Sequence, residues 1–333
     1  MINRYFTVGI LIYRFCFILS LVLICPVIFS QQYPAYSQYI FNEFFINPSV
    51  AGIDGMTTIN ISARKQWLGL TYSPETYAAT ISSRILKSPL RITEGKVRKG
   101  TEGRVGLGAA LYCDKNGAFS RTSIQFAYAY HIYLRNTQLS MGLKVYGTQI
   151  KIDGELINFR VPDPPEIQNL LIKSTFIPDA GLGINLSSEN LHIGLSATNL
   201  LQSIIKIGDA EFESDDLRHL RQYSLHGFYR IILPDKDWLF EPSAIVHGNE
   251  KLRFNADLTG RFIYKREYWT GLSLRTSGEF VLILGLKINR FYLGYSFDYG
   301  FNKLSYNSYG SHELALAIKL GDSIRRYRWL ERY

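Results

Sequence analysis

The sequence predicts an all-β chain: a transmembrane antiparallel β-barrel of about fourteen strands, following a cleaved signal peptide. Three observations carry this. The chain opens with an export leader and shows no later apolar run long enough for a spanning helix. Long stretches alternate apolar and polar residues with a period of two. Aromatics make up 14% of the 333 residues, with 23 Tyr and 20 Phe, although mean hydropathy is only −0.03. A soluble β-protein is the competing class. Lipid-facing residues diluted by polar lumen residues give the same near-zero hydropathy.

Residues 1–30 read as the signal peptide. Arg4 and Arg14 supply the positive start, Phe15 to Phe29 the apolar run, and Ser30 the small residue at the cleavage point. The run is short for a retained anchor helix. Ile24 is too bulky before Cys25 for lipoprotein processing. Cys16 and Cys25 leave with the leader, so only Cys113 remains. That excludes an internal disulfide framework and a cysteine zinc site.

Residues 31–56 form an N-terminal periplasmic or plug-like segment. Its stretch "QYIFNEFFINPSVAG" (Gln38 to Gly52) holds Ile40, Phe41, Phe44 and Phe45 at helical spacing and breaks at Asn47-Pro48. Two placements are open: an amphipathic element against the barrel mouth or interface, or an irregular plug at the lumen base.

The barrel is read over 57–320. "KLRFNADLTGRF" (Lys251 to Phe262) puts Leu252, Phe254, Ala256, Leu258 and Phe262 on one face. Lys251, Arg253, Asn255, Asp257, Thr259 and Arg261 lie on the other, and these are read as lumen-facing. The same grammar recurs near 57–66, 75–84, 102–113, 118–132, 137–149, 175–187, 190–200, 221–232, 238–247, 251–263, 266–276, 278–288, 290–299 and 310–320. An even count lets the sheet close with both ends on one side, and closure removes exposed edges. With a periplasmic N-terminus the inner turns are mostly tight, as at 135–136, 265–266 and 289–290. The long connections near 150–174, 201–220 and 300–309 are then outer. The asymmetry is imperfect, since 85–101 is long on the inner side. Tyr268, Trp269, Tyr292, Tyr295 and Tyr299 lie near strand ends and are read as an aromatic girdle.

Residues 321–333 are a basic periplasmic tail. Together with Arg84 to Lys99 they give one side of the barrel a positive surface. Solvation, anionic headgroups and an acidic periplasmic partner each account for it. Nucleic acid is not an expected partner of an exported barrel.

Signs of catalysis are weak. Gly106-Leu107-Gly108 and Gly181-Leu182-Gly183 start a dinucleotide fingerprint that neither completes. Glycines alternating on one strand face mark close packing or a bend. His312-Glu313 lacks the second histidine of a zinc protease, because Ala317 and Ile318 stand where it is needed. His131, His192 and His226 are isolated in sequence, so each is read on a polar strand face rather than on a metal, and no metal site is expected. Ser196 and His226 could be imagined as a hydrolase pair on neighbouring strands, as could any such pair in this chain.

The opening stretch, followed by "ARKQWLGL" (Ala63 to Leu70), resembles the N-terminal signature of the PorP/SprF family, outer-membrane proteins of type IX secretion in Bacteroidetes. The matching positions are Tyr39 and Phe41, then Asn47, Pro48, Ala51 and Gly52, then Gln66 and Trp67. The similarity continues in "IPDAGLGINLSSENLHIGLSATNLL" (Ile177 to Leu201), which contains Pro178 and Asp179. It continues again in "LRQYSLHGFYRI" (Leu220 to Ile231) and in "SHELALAIKL" (Ser311 to Leu320), which contains His312 and Glu313. These twelve positions are structural or interaction candidates, not catalytic ones. The resemblance implies a non-enzymatic barrel in outer-membrane lipid, with no cofactor. It implies a role in secretion, gliding motility or attachment of a surface adhesin. Its implied partners are periplasmic or peptidoglycan-linked components of the type IX system and the C-terminal domain of a secreted adhesin. The charged tail GDSIRRYRWLERY departs from a chain that ends on its last strand. A channel or transporter for small solutes is the other reading, and it requires an open polar lumen.

Overall fold

The structure is a computed structural model. It describes residues 37–39, 41–85, 91–93, 96–98, 104–134, 136–153, 172–202, 220–251, 253–301 and 305–321. The expected leader, Ile40, much of the basic 85–101 segment, the two longest outer connections and the tail beyond 321 lie outside these residues.

Fourteen antiparallel strands form a closed barrel. They are β1 (Thr57–Lys65), β2 (Glu75–Ile85), β3 (Val105–Asn116), β4 (Phe119–Leu134), β5 (Thr137–Asp153), β6 (Ile172–Ser188) and β7 (Leu191–Thr198). Then come β8 (Gln222–Tyr229, continued by Ile231–Ile232), β9 (Trp238–Asn249), β10 (Phe254–Tyr264), β11 (Tyr268–Arg275), β12 (Glu279–Ile288), β13 (Phe291–Gly300) and β14 (Ser311–Leu320). A small hairpin, Arg91–Thr93 with Lys96–Arg98, sits between β2 and β3. Every strand pairs with its sequence neighbours, and β1 pairs with β14 from Thr57↔Leu320 to Lys65↔His312. That last ladder leaves no open edge. Among the described residues no helix is long and apolar enough to cross a membrane.

Burial along the strands is the reverse of a soluble protein's. In β1, Thr58, Asn60, Ser62 and Arg64 are buried while Ile61 is 52% exposed. Leu111, Val145, Leu195, Leu272 and Leu314 likewise point outward. Polar residues inside and an apolar belt outside need lipid around the belt. An Arg in place of Leu272, midway along β11, is expected to cost about 2–4 kcal/mol of stability, with Leu272→Ala well below that. Reversible unfolding in lipid vesicles measures both.

Several inward residues correct the sequence reading. Tyr292 and Trp269 are not girdle residues. Both are buried and pack against Phe41 inside the lumen, as the parity of their strands dictates. Tyr268 does face outward. Lys251 and Arg253 do not line the lumen, because β10 begins at Phe254 and both lie exposed in the preceding connection. Arg84 is no part of a solvated basic surface: it is buried and donates to Ile53 O at 2.8 Å.

The two barrel ends differ. At the end where β1 starts, five of the connections are tight: 135–136, 189–190, 233–237, 265–267 and 289–290. At the other end β5–β6, β7–β8 and β13–β14 are joined by longer segments. These are called the turn end and the loop end below.

Candidate functional site

The lumen holds the chain's own N-terminal segment, residues 37–56. Its local structure follows from its residues. A short helix, Glu43–Ile46, stops at Asn47, which is extended (φ −132°, ψ 114°) as the residue before a proline must be. The Asn47 side chain accepts from Ser49 N at 3.0 Å and from Ser49 Oγ at 2.7 Å, capping the 3₁₀ turn Pro48–Val50. Gly52 then turns the chain at φ +64°, tight against the backbone of Ser83, and β1 begins.

The aromatics of the segment reach opposite walls. Phe41 joins Ile263, Trp269, Ile283 and Tyr292, on strands β10 to β13. Phe44 joins Ala110, Ala127 and Ala129 on β3 and β4, and Phe45 meets Tyr112 edge-on at 6.1 Å. The wall is cut away where the segment passes. A Cβ on Gly142 would overlap the Pro48–Ser49 backbone, one on Gly106 the Ala51 carbonyl, and one on Gly183 the side chains of Asn47 and Pro48. The strand glycines are thus explained by close backbone approach.

Polar contacts fix the segment along its length. Near the loop end, Ser37 N donates to Glu313 at 2.7 Å and Ser37 Oγ to Asp298 at 2.5 Å. Arg64 bonds the Ser37 hydroxyl and pairs with Asp298 at 2.7 Å. Arg275 reaches Asp257, Glu279, Asp298 and Ser37. At mid-height Lys144 Nζ donates to Phe45 O at 2.7 Å and Ser196 Oγ to Ile46 O at 2.8 Å. There Asn47 Nδ2 donates to Ile184 O and Leu195 O at 3.1 and 3.4 Å. Toward the turn end His131 Nε2 donates to Ala51 O at 3.0 Å, and Lys319 pairs with Asp54 at 3.0 Å. The contacts run from the third residue of β14 at one end to its ninth at the other, so the segment spans the lumen rather than capping its base. A cavity of about 40 Å³ between the segment and β1–β2 is sized for water, not for a solute.

The twelve signature positions separate into four settings. Tyr39, Phe41, Asn47, Pro48, Ala51 and Gly52 belong to the lumen segment, and Glu313 is its wall partner. Gln66 and Trp67 lie outside the lumen, in the β1–β2 connection. Trp67, at φ 50°, donates its backbone N–H to Ser311 Oγ at 3.2 Å, while Leu68 N donates to Gly310 O and Leu68 O accepts from Tyr309 N in the β13–β14 connection, both at 2.8 Å. Pro178 and Asp179 lie on β6, where Asp179 Oδ1 accepts from Leu201 N at 2.9 Å and so holds the exit of β7. His312 faces away from Glu313 and meets the Tyr295 hydroxyl at 2.8 Å. Ser196 and His226 do not form a hydrolase pair, since Ser196 is bonded to Ile46 O and His226 Nε2 faces Glu43. Sequence reading missed Glu43, His192, Arg64, Arg275 and Asp298. Strand parity places the last four inward, but which of them meet is set by pairings far apart in the chain.

Asn47→Ala removes the two wall bonds and the Ser49 cap together. It is expected to weaken seating of the segment by about 1–3 kcal/mol. Faster proteolytic cleavage within 37–56, with the barrel strands still protected, is the readout.

Comparison with protein families matches residues 28–318 to the family described as type IX secretion system membrane protein PorP/SprF. Comparison with the curated proteins found no match. Among solved structures, the outer membrane protein Omp33 of Acinetobacter baumannii aligns at TM-score 0.45 and 6% identity, over 80% of this chain and 100% of that one. CdiB from Acinetobacter baumannii aligns at TM-score 0.43 and 10% identity, over 80% of this chain and 60% of that one. The KdgM porin aligns at TM-score 0.36 and 7% identity, over 79% and 99%.

Proposed function

Since this chain belongs to the PorP/SprF family of type IX secretion system membrane proteins, we propose that it works in the outer membrane as a non-enzymatic barrel that supports secretion or surface attachment of a cargo adhesin through protein contacts. The occupied lumen is the observation that carries this reading. The segment 37–56 is bonded to the wall from Glu313 to Lys319, and its aromatics fill both sides of the interior. A barrel stoppered in this way offers its two rims, not its bore, to other molecules. The loop-end rim, with Tyr306 and Tyr309 more than 70% exposed, suits a secreted cargo domain. The turn-end rim suits periplasmic or peptidoglycan-linked components. Ser196 and His226, the pair with most chemical promise, are both taken up in holding the segment.

The test is purification from the native outer membrane in mild detergent, with mass spectrometry of what accompanies the barrel. The expected result is recovery of type IX secretion components or a large secreted adhesin. A barrel that elutes alone after mild cross-linking in cells refutes the reading.

A further inference from the structure

The lumen segment meets the wall at one place whose side chains carry ligand chemistry. Glu43 opens the short helix, and His192 on β7 and His226 on β8 converge on it. His192 Nε2 lies 2.7 Å and His226 Nε2 3.0 Å from the same oxygen, Glu43 Oε1. The three donor atoms all lie within 4.8 Å of one another, and all three residues are buried. His226 stands opposite Gly194, and a Cβ on Gly194 would collide with its imidazole. The strand therefore makes room for this ring beside His192, with ring centroids 5.6 Å apart.

Hydrogen bonding around His192 determines which nitrogen is bare. Ser187 Oγ donates to Asn185 Oδ1 at 2.8 Å, so its single proton is used. The 2.8 Å contact between Ser187 Oγ and His192 Nδ1 then requires the proton on Nδ1. Asn185 Nδ2, at 2.7 Å from Nε2, donates and agrees with that tautomer. Nε2 is then the unprotonated nitrogen, shared between the Asn185 amide and the side that faces Glu43 Oε1, each 2.7 Å away. A proton shared between the two atoms or a metal ion beside them satisfies such a contact. His226 turns its Nε2 to the same oxygen, while its buried Nδ1 has no hydrogen-bond partner among the described residues.

We propose that Glu43, His192 and His226 bind one divalent transition-metal ion of the zinc class, clamping the lumen segment to β7 and β8. Two imidazoles and one carboxylate are a recognised zinc donor set, and ligands on one tetrahedral zinc stand about 3.3 Å apart. The His192 and His226 spacings to Glu43 must open by about 0.6 and about 0.3 Å to reach that arrangement. Ser187 is the outer partner that holds the His192 ring in the binding tautomer. The site joins residues 149 and 183 positions apart in sequence, so a bound ion cross-links the segment to the wall. The inference stands whatever the barrel's cargo.

The experiment loads the purified full-length barrel with Zn²⁺, desalts it, and measures metal per folded chain by mass spectrometry. Heat-modifiable gel mobility confirms that each variant is folded. About one zinc per wild-type chain is expected, falling at least tenfold in His226→Asn and in Glu43→Gln and unchanged in His312→Asn. A wild-type barrel that retains no zinc, or variants that retain as much as wild type, overturns the proposal. If both variants misfold, the wild type decides alone through Co²⁺. An intense visible spectrum from low-symmetry nitrogen and oxygen donors supports the site, and the weak spectrum of hydrated Co²⁺ overturns it.

Discussion

Gly142→Val is expected to unseat the lumen segment and turn a silent barrel into a conducting one. Gly142 faces inward from β5, with Gly183 opposite it on β6. A Cβ there would overlap Pro48 C, Ser49 N and Ser49 Cα, which are backbone atoms of a turn held by the Asn47 cap. Backbone cannot rotate aside as a flexible side chain can. Two further methyl groups make the overlap worse, and overpacking in a well-packed site typically costs about 1–3 kcal/mol or more. The strand itself tolerates the change, because Gly142 is not among the glycines with positive φ and valine favours extended backbone. The cost therefore falls on the segment, not the barrel. Planar-bilayer recording should show stepwise conductance for Gly142→Val, and proteases should cut within 37–56. Leu143→Val, one residue along and facing outward, serves as the control and should leave the lumen shut.

Arg275→Ala is expected to be the most destabilising single change in the lumen, at about 3–5 kcal/mol. Its guanidinium is 3% exposed and contacts Asp257, Glu279 and Asp298 at 2.9–3.1 Å. Removing it leaves buried carboxylates with less positive charge than they need, although Arg64 still faces Asp298. The Ser37 hydroxyl loses a donor as well, so the outer end of the lumen segment loosens with the wall. Arg275→Lys keeps the charge but cannot reproduce the fork that serves several carboxylates at once, so an intermediate loss is expected. Unfolding in detergent or lipid, followed by intrinsic fluorescence, ranks the three proteins.

Much of the barrel is legible along the chain because its rule is local. A side chain's face is decided by its parity within a strand, and the fourteen runs read from alternation correspond to the fourteen strands. Ends were less legible. β10 starts at Phe254, three residues after the alternation begins, because Asn249 caps the preceding turn by accepting from Lys251 N and Arg253 N. Trp269 and Tyr292 show a different failure. Their type suggested a membrane girdle, while their parity put them inside, and parity prevailed because Phe41 supplies an apolar partner there. The cluster of Glu43, His192 and His226 was out of reach of any local rule. It depends on a segment folding back through the lumen to meet strands more than a hundred residues away.

The most direct test of the central claim is the reactivity of a cysteine placed under the lumen segment. Ser196→Cys, on the Cys113→Ser background, puts the one thiol among the described residues where Ser196 Oγ now meets Ile46 O at 2.8 Å. The folded barrel is probed with a membrane-impermeant maleimide in permeabilised outer-membrane vesicles, so that the reagent reaches both ends. The account predicts protection in the otherwise native barrel and rapid labelling once Gly142→Val is added. Rapid labelling without Gly142→Val would mean an open, water-filled lumen and would contradict it.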